Sequence, residues 1–394
     1  MMPSDSSYIP QAQPAPAAVR TRRASIGLPA CASTSDRRFP LTPEGAAILV
    51  ERGFDVRIQS GAAADIHYPD SKYLKAGASV VSRQEALSAD IVIHLAPLGA
   101  ADIRMMRRGA MLLSILHAEQ LTAENVRELL NRNIIAVAID LMRDREGHTP
   151  FYDILMEVDG RASMTLAASM FASKQGKGIL LGGVAGVNPC EVTILGSGIA
   201  AIAAAGSALG LGAKVNIFDS DVYRIRAASR LLGQGVSISS PHPQVLEKAL
   251  RTADAVIATP QSRGPVIGAD LVEVMKKGVV VMDIDYDTVH TFPSLPAVDI
   301  STADHAAPTD ADGRRICYIN LGNAVPRTAA MALTDTLLCL MDEIMSCEGA
   351  ANTVKLLPGL QCAVYTFLGK PVNRRVADIV KMRPIDISLL LNCS

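Results

Sequence analysis

The clearest chemistry in this chain sits in one short loop and an acid downstream of it. The stretch "VTILGSGIAA" places Gly196, Gly198 and Ala201 in G-x-G-x-x-G/A register. An apolar strand, Val192 to Leu195, precedes it and an alanine-rich helix follows. A second strand, "KVNIF", ends at Asp219, 21 residues beyond Gly198. That context makes the pattern a dinucleotide fingerprint. Gly196 permits the tight turn, Gly198 lets backbone approach a pyrophosphate, and Ala201 lets the helix lie close to the strand. Ser197 and Ile199 complete the loop, whose helix N-terminus offers free N–H groups to phosphates. Asp219 can accept hydrogen bonds from the adenosine ribose and would repel a 2′-phosphate, so NAD is expected over NADP.

Two further stretches carry ionisable groups at strand ends. "VVVMDIDYDTVH" sets Asp283, Asp285 and Asp287 at period two, on one side of the chain while it stays extended. Three carboxylates invite a metal. The preferred expectation is no metal, with one of them, Asp287, reaching the nicotinamide side of the crevice. "ADIVIHLAPLG" runs a short buried strand into His94, and strand C-termini face ligand crevices in such sheets.

Positioning these groups requires alternating strands and helices. "ASIGLP", "FDVRIQSG", "DIVIHLAP", "AMLLSILH" and "IIAVAIDLM" read as strands. Between them lie helices starting at Thr42-Pro43, with a glycine stop at Gly53, and at the N-cap Thr122. "RASMTLAASMFASKQG" is a helix rich in small residues. A second alternating series follows the glycine loop through "GVSIS", "DAVIATP", "VVVMDID" and "CYINLG". The long helix "RTAAMALTDTLLCLMDEIMSC" comes next, and "TFLGKPVNRRVADIVKM" is read as helical. The fold class is therefore α/β, with two doubly wound Rossmann-like domains. The expected division is a disordered tail over 1–23, a substrate domain over 24–148 and 319–394, and an inserted NAD-binding domain over 149–318.

Composition narrows the partners. With 38 basic and 39 acidic residues the net charge is −1, which gives no electrostatic reason to bind nucleic acid or an anionic membrane. Mean hydropathy is +0.24, yet the most apolar windows stop short of the roughly 18 residues a span requires. The surplus apolarity fits a buried subunit interface instead. Seven scattered cysteines without a C-x-x-C pair suit a reducing, cytoplasmic setting. The N-terminal residues lack an apolar signal core; Arg20, Arg22 and Arg23 give only a faint likeness to a transit peptide.

Several motifs together resemble the alanine dehydrogenase and pyridine nucleotide transhydrogenase family, with the likeness running from Ile26 to Met382. "IGLPACASTSDRRFPLTPEGAAILVERGFDV" is similar to its opening strand, arginine turn and "LTP" helix start. "LLGGVAGVNPCEVTILGSG" looks like its domain-crossing segment, "GVVVMDIDYD" its strand before a catalytic aspartate, and "NAVPRTAAMALTDTL" its closing segment. The resemblance implies NAD-linked oxidative deamination of alanine, or a similar small amino acid, to the 2-oxo acid. It implies Arg38 as a bidentate clamp on the substrate carboxylate and His117 in acid/base work. It also implies Asp287 as the catalytic aspartate, Asn320 near the nicotinamide, and a homo-oligomer, hexamer or dimer. The departures fall in the chemistry half. The family's "KVKEP" is "HLAP" here, so His94 replaces the first lysine and Ala96 the second, catalytic one. "ACAS" follows the first strand, and "TVH" follows Asp287 where the family has "QGG". The alternative expectation is an NAD(H)-binding homologue that has lost alanine turnover.

Overall fold

The computed structural model describes residues 23–31, 36–261, 264–284, 290–303, 307–310, 313–347 and 349–392. Two sheets carry the fold. The first is built from β1 (Ser25–Leu28), β2 (Asp55–Gln59), β3 (Ser79–Val81), β4 (Ile91–His94), β5 (Met111–Ser114) and β6 (Ile135–Ala138). The second holds β7 (Glu191–Leu195), β8 (Lys214–Phe218), β9 (Val236–Ser239), β10 (Ala255–Ala258), β11 (Val280–Asp283), β12 (Ala297–Asp299) and β13 (Cys317–Ile319). The chain then returns to the first sheet with β14 (Val364–Phe367) and β15 (Lys370–Pro371).

The spatial orders are β15-β14-β6-β5-β4-β1-β2-β3 and β12-β13-β11-β10-β7-β8-β9. Both are doubly wound, and chain order reverses between β1 and β4 in one sheet and between β7 and β10 in the other. Ligands in such sheets bind at that reversal, beyond the strands' carboxyl ends. The central strands are buried on both faces, which explains their unbroken apolar runs. The helix starts follow their caps. Thr42 Oγ1 accepts from the Gly45 amide at 3.2 Å, and Thr122 Oγ1 accepts from the Asn125 amide at 3.1 Å.

Two long helices join the halves. The crossing helix, Pro150–Ala172, starts earlier than its small-residue pattern suggested, because Pro150 sits in its first turn. Its Phe151 and Leu155 belong to the first core, and its Ala162, Met164, Ala167, Met170 and Phe171 to the second. The return helix, Pro326–Met345, packs on helix Pro43–Glu51, where Thr334 Oγ1 accepts from the Thr42 amide at 2.9 Å.

One element differs from the sequence expectation. "TFLGKPVNRRVADIVKM" is not one helix but the end of β14, a hairpin through Leu368 and Gly369, β15, and a short helix Arg374–Ile379. Leu368 and Gly369 both have positive φ (48° and 69°), which turns the chain, and β14 pairs antiparallel with β6. That pairing partner lies far away in sequence, so local periodicity carried no sign of it. Among the described residues no helix is long and apolar enough to cross a membrane.

Candidate active site

The glycine loop turns at the end of β7. Gly196 has φ +106°, and a Cβ there would lie 2.1 Å from Thr259 Oγ1, so only glycine fits. Thr259 comes from the neighbouring strand end at the reversal, where its hydroxyl donates to the Leu195 carbonyl at 2.8 Å. At Gly198 the situation is opposite. A Cβ would meet only the Pro260 carbonyl at 3.9 Å, which leaves room over the start of the following twelve-residue helix, Ile199–Gly210. An open cradle above a helix N-terminus fits a pyrophosphate. Ala201 is fully buried in the second core and Ile199 is exposed at the loop edge. The helix is held down by the crossing helix, where Gly160 would place a Cβ 2.3 Å from the Ala200 carbonyl.

Asp219 follows the last residue of β8 and is 2% exposed. Its Oδ2 accepts from the Ser197 amide at 2.8 Å and the Ser197 hydroxyl at 2.7 Å, while Oδ1 accepts from the Asp221 amide at 2.8 Å. The acid therefore ties the loop to the second strand. Sequence reasoning placed it against a ribose; the structure shows that Ser197 already takes one of its oxygens, leaving acceptor capacity on Oδ1. Gln261 Oε1, beyond β10, is buried without a hydrogen-bond partner among the described residues.

The first crevice lies at the β1/β4 reversal. Arg38 is largely buried and forms a two-point pair with Asp36, Nε to Oδ1 at 3.0 Å and Nη2 to Oδ2 at 2.9 Å. The fork expected to grip a substrate carboxylate is thus occupied, and Nη1 is the edge that donates to no described residue. Burial pushes the Asp36 carboxyl up, but Arg38 outweighs it and holds the group below the ordinary carboxylate range. Burial opposes the Arg38 charge, which Asp36 more than restores.

A second acid, not foreseen from sequence, faces the same guanidinium. Asp159 sits on the crossing helix, 8% exposed. Burial raises its pKa to about 6, against the pull of Arg38 and the Gly322 amide. Gly322 packs directly on this carboxylate, since a Cβ there would come 2.2 Å from Asp159 Oδ1 and push the acid aside. Beside it Asn323 is buried, its Oδ1 accepting from the Arg37 amide at 3.3 Å. Asp159, Gly322 and Asn323 gather around the arginine turn through contacts far apart in sequence, which local patterns do not announce.

His94 ends β4 with its ring folded onto its own strand end. Nδ1 lies 2.6 Å from the Ala96 carbonyl, an acceptor, so the ring proton belongs on Nδ1. The Ser114 hydroxyl donates to the same carbonyl at 2.9 Å. Nε2 is buried without a hydrogen-bond partner among the described residues, and burial lowers the ring's pKa, so the imidazole is neutral near pH 7. His94 therefore orders the backbone around Ala96, the position where the family resemblance expects a lysine.

His117 follows β5, half-buried, at the start of a short 3-10 turn. Asp140, just past β6, lies within its field. Burial raises the Asp140 pKa, His117 opposes that, and Asp140 Oδ1 has no partner among the described residues. The two residues follow the adjacent strands β5 and β6, and of the two the sequence reading named only His117. Asn320 is exposed in the left-handed region (φ 57°), and its Nδ2 donates to Asp299 Oδ2 at 2.6 Å. Asp283 is buried at the end of β11, whereas Asp285 and Asp287 lie outside the described residues.

Two doubly wound domains, a dinucleotide-type loop in one and a buried arginine crevice in the other, define a two-domain Rossmann-type α/β protein. The chain belongs to the alanine dehydrogenase/PNT family. That family's N-terminal domain model matches residues 27–155 and its C-terminal domain model residues 162–374. The alanine dehydrogenase of Staphylococcus saprophyticus is 30% identical over 377 residues, 93% of this chain and 99% of the relative. That of Geobacillus stearothermophilus is 30% identical over 378 residues, with the same coverage. A solved L-alanine dehydrogenase superposes with TM-score 0.80 at 28% identity, covering 91% of this chain and 99% of the other. A transhydrogenase from Sinorhizobium meliloti shares the fold at TM-score 0.73 and 20% identity, covering 89% and 99%.

Proposed function

We propose that this chain is an alanine-dehydrogenase-like oxidoreductase that uses NAD to deaminate a small amino acid, L-alanine or a close analogue, to its 2-oxo acid. The observation that carries this reading is the Gly196 turn, open above Gly198 and tied to Asp219, in a chain aligned almost end to end with alanine dehydrogenases. Gly196, Ser197, Gly198 and Ile199 would cradle the pyrophosphate, with Ala201 keeping the helix close. Asp219 Oδ1 would accept from the ribose. The nicotinamide, when bound, accepts hydride from the substrate Cα.

The chain's own residues would then divide the remaining work. Arg38 offers Nη1 to the substrate carboxylate while Asp36 holds the guanidinium in place. His117 moves the proton of the reacting amine or oxygen, with Asp140 at the neighbouring strand end. Asp287 orients water or ammonia, and Asn320 supports the nicotinamide side. Closing the two domains over the crevice would exclude water from the reaction.

A second reading is supported by Ala96 and Asp159 together. One stands where the family resemblance expects a cation beside the substrate, and the other sets an acid near Arg38. On that reading the protein binds NAD(H) without turning over alanine. Titration with NADH, followed by nicotinamide fluorescence, tests the half both readings share. Saturable binding is expected; a flat titration would overturn both.

A further inference from the structure

The other edge of the first sheet holds a cavity of about 1060 Å³. It lies beneath Ala24, Phe54, Asp90 and Ala110, the residues that immediately precede β1, β2, β4 and β5. The candidate active site is at the opposite, carboxyl ends of these strands, so this cavity belongs to neither substrate nor cofactor.

Four arginines line it: Arg23, Arg52, Arg107 and Arg108. Arg107 pairs with Asp90, and Arg52 pairs with Asp342 at 2.8 Å. Arg23 and Arg108 pair with no carboxylate among the described residues. Among the described lining residues Asp90 is the one acid, so these carry a net +3 (four arginines less one aspartate) in a chain whose total is −1. Counting Asp342 behind Arg52 still leaves +2. The floor is apolar, formed by Phe54, Ile91, Ile344 and Met345. Guanidinium groups around a partly apolar hollow match a ligand with clustered phosphate oxygens and a non-polar body.

We propose that this cavity is a binding site for a polyphosphorylated small molecule, distinct from the dinucleotide loop. Its position gives it a route to the active site. Helix Pro43–Glu51 has Arg52 at its cavity end and begins five residues after Arg38. The return helix brings Ile344 and Met345 to the cavity and begins just after Asn323. A ligand bound there touches the far ends of two helices whose near ends flank the arginine crevice.

Isothermal titration with inorganic tripolyphosphate tests this, in about 0.15 M salt to screen diffuse attraction and with NADH present to fill the dinucleotide loop. The full chain should bind one tripolyphosphate, and Arg23→Ala/Arg108→Ala should weaken binding at least about tenfold. Both side chains are exposed and pair with no carboxylate among the described residues, so the double variant should fold normally; an unchanged melting curve checks that. Three results would overturn the proposal: no binding to the parent protein, undiminished binding to the double variant, or binding abolished by NADH. None depends on whether the protein turns over an amino acid.

Discussion

Asp159 is where the chemistry of single residues departs furthest from what a carboxylate-binding crevice requires. Its pKa is raised from 3.8 to about 6, chiefly by burial. The folded state thus holds this proton more tightly than the unfolded chain does. The resulting stabilisation is complete below the unfolded value and is lost as pH rises through about 6. At pH 8 the buried charge costs up to about 3 kcal/mol. Asp159→Asn should therefore melt higher than the parent at pH 8, with the difference shrinking as pH falls towards 4; identical melting at pH 8 would show that the burial is relieved in solution. Asp219 gives a second prediction at this scale. Replacing it with serine should cost NAD affinity relative to NADP, because the repulsion of a 2′-phosphate goes with the charge. Unchanged NAD affinity would remove Asp219 from the cofactor site. The glycine loop was legible in sequence because turn, helix start and acid lie within one local unit. Asp159 was not, since a lone acid in "MEVDGRAS" looks like any solvated helix position. Its burial comes from Gly322, 163 residues further along.

Among the elements, the crossing helix sets the level of the glycine loop. Gly160 is the contact point, with the Ala203 methyl 3.0 Å from where its Cβ would lie. Gly160→Val should drive the two helices apart, cost about 1–3 kcal/mol by overpacking, and weaken NADH binding. Gly206→Ala makes the contrast, because a Cβ there meets nothing within 4 Å on the exposed side of helix Ile199–Gly210. That change should stabilise the protein by about 0.5–1 kcal/mol and leave NADH binding alone. Denaturant titrations of both variants check the signs. Most elements were readable from apolar runs and caps such as Thr42 and Thr122. The β14–β15 hairpin escaped because the charged run "NRRVADIVKM" has helical spacing. What commits Val364 to Phe367 to a strand is the β6 edge more than 220 residues earlier.

At the scale of the molecule, the two sheets have opposite edges with different chemistry: carboxyl ends that gather the candidate active site, and an arginine-lined cavity under the first sheet. The loop before β7 exposes Leu180, Val184 and Val187 by 64%, 60% and 61%. Apolar exposure on that scale suits a subunit contact, so light scattering should give a multiple of the 41.6 kDa chain mass; the single-chain mass would contradict it. The central claim is hydride exchange between NAD and a small amino acid despite Ala96. Its most direct test follows NADH absorbance with NAD and L-alanine, then with NADH, ammonia and a panel of 2-oxo acids. The account predicts turnover with at least one small substrate. No turnover with any of them, from protein that still binds NADH, would contradict it and leave a binding protein on an enzyme's fold.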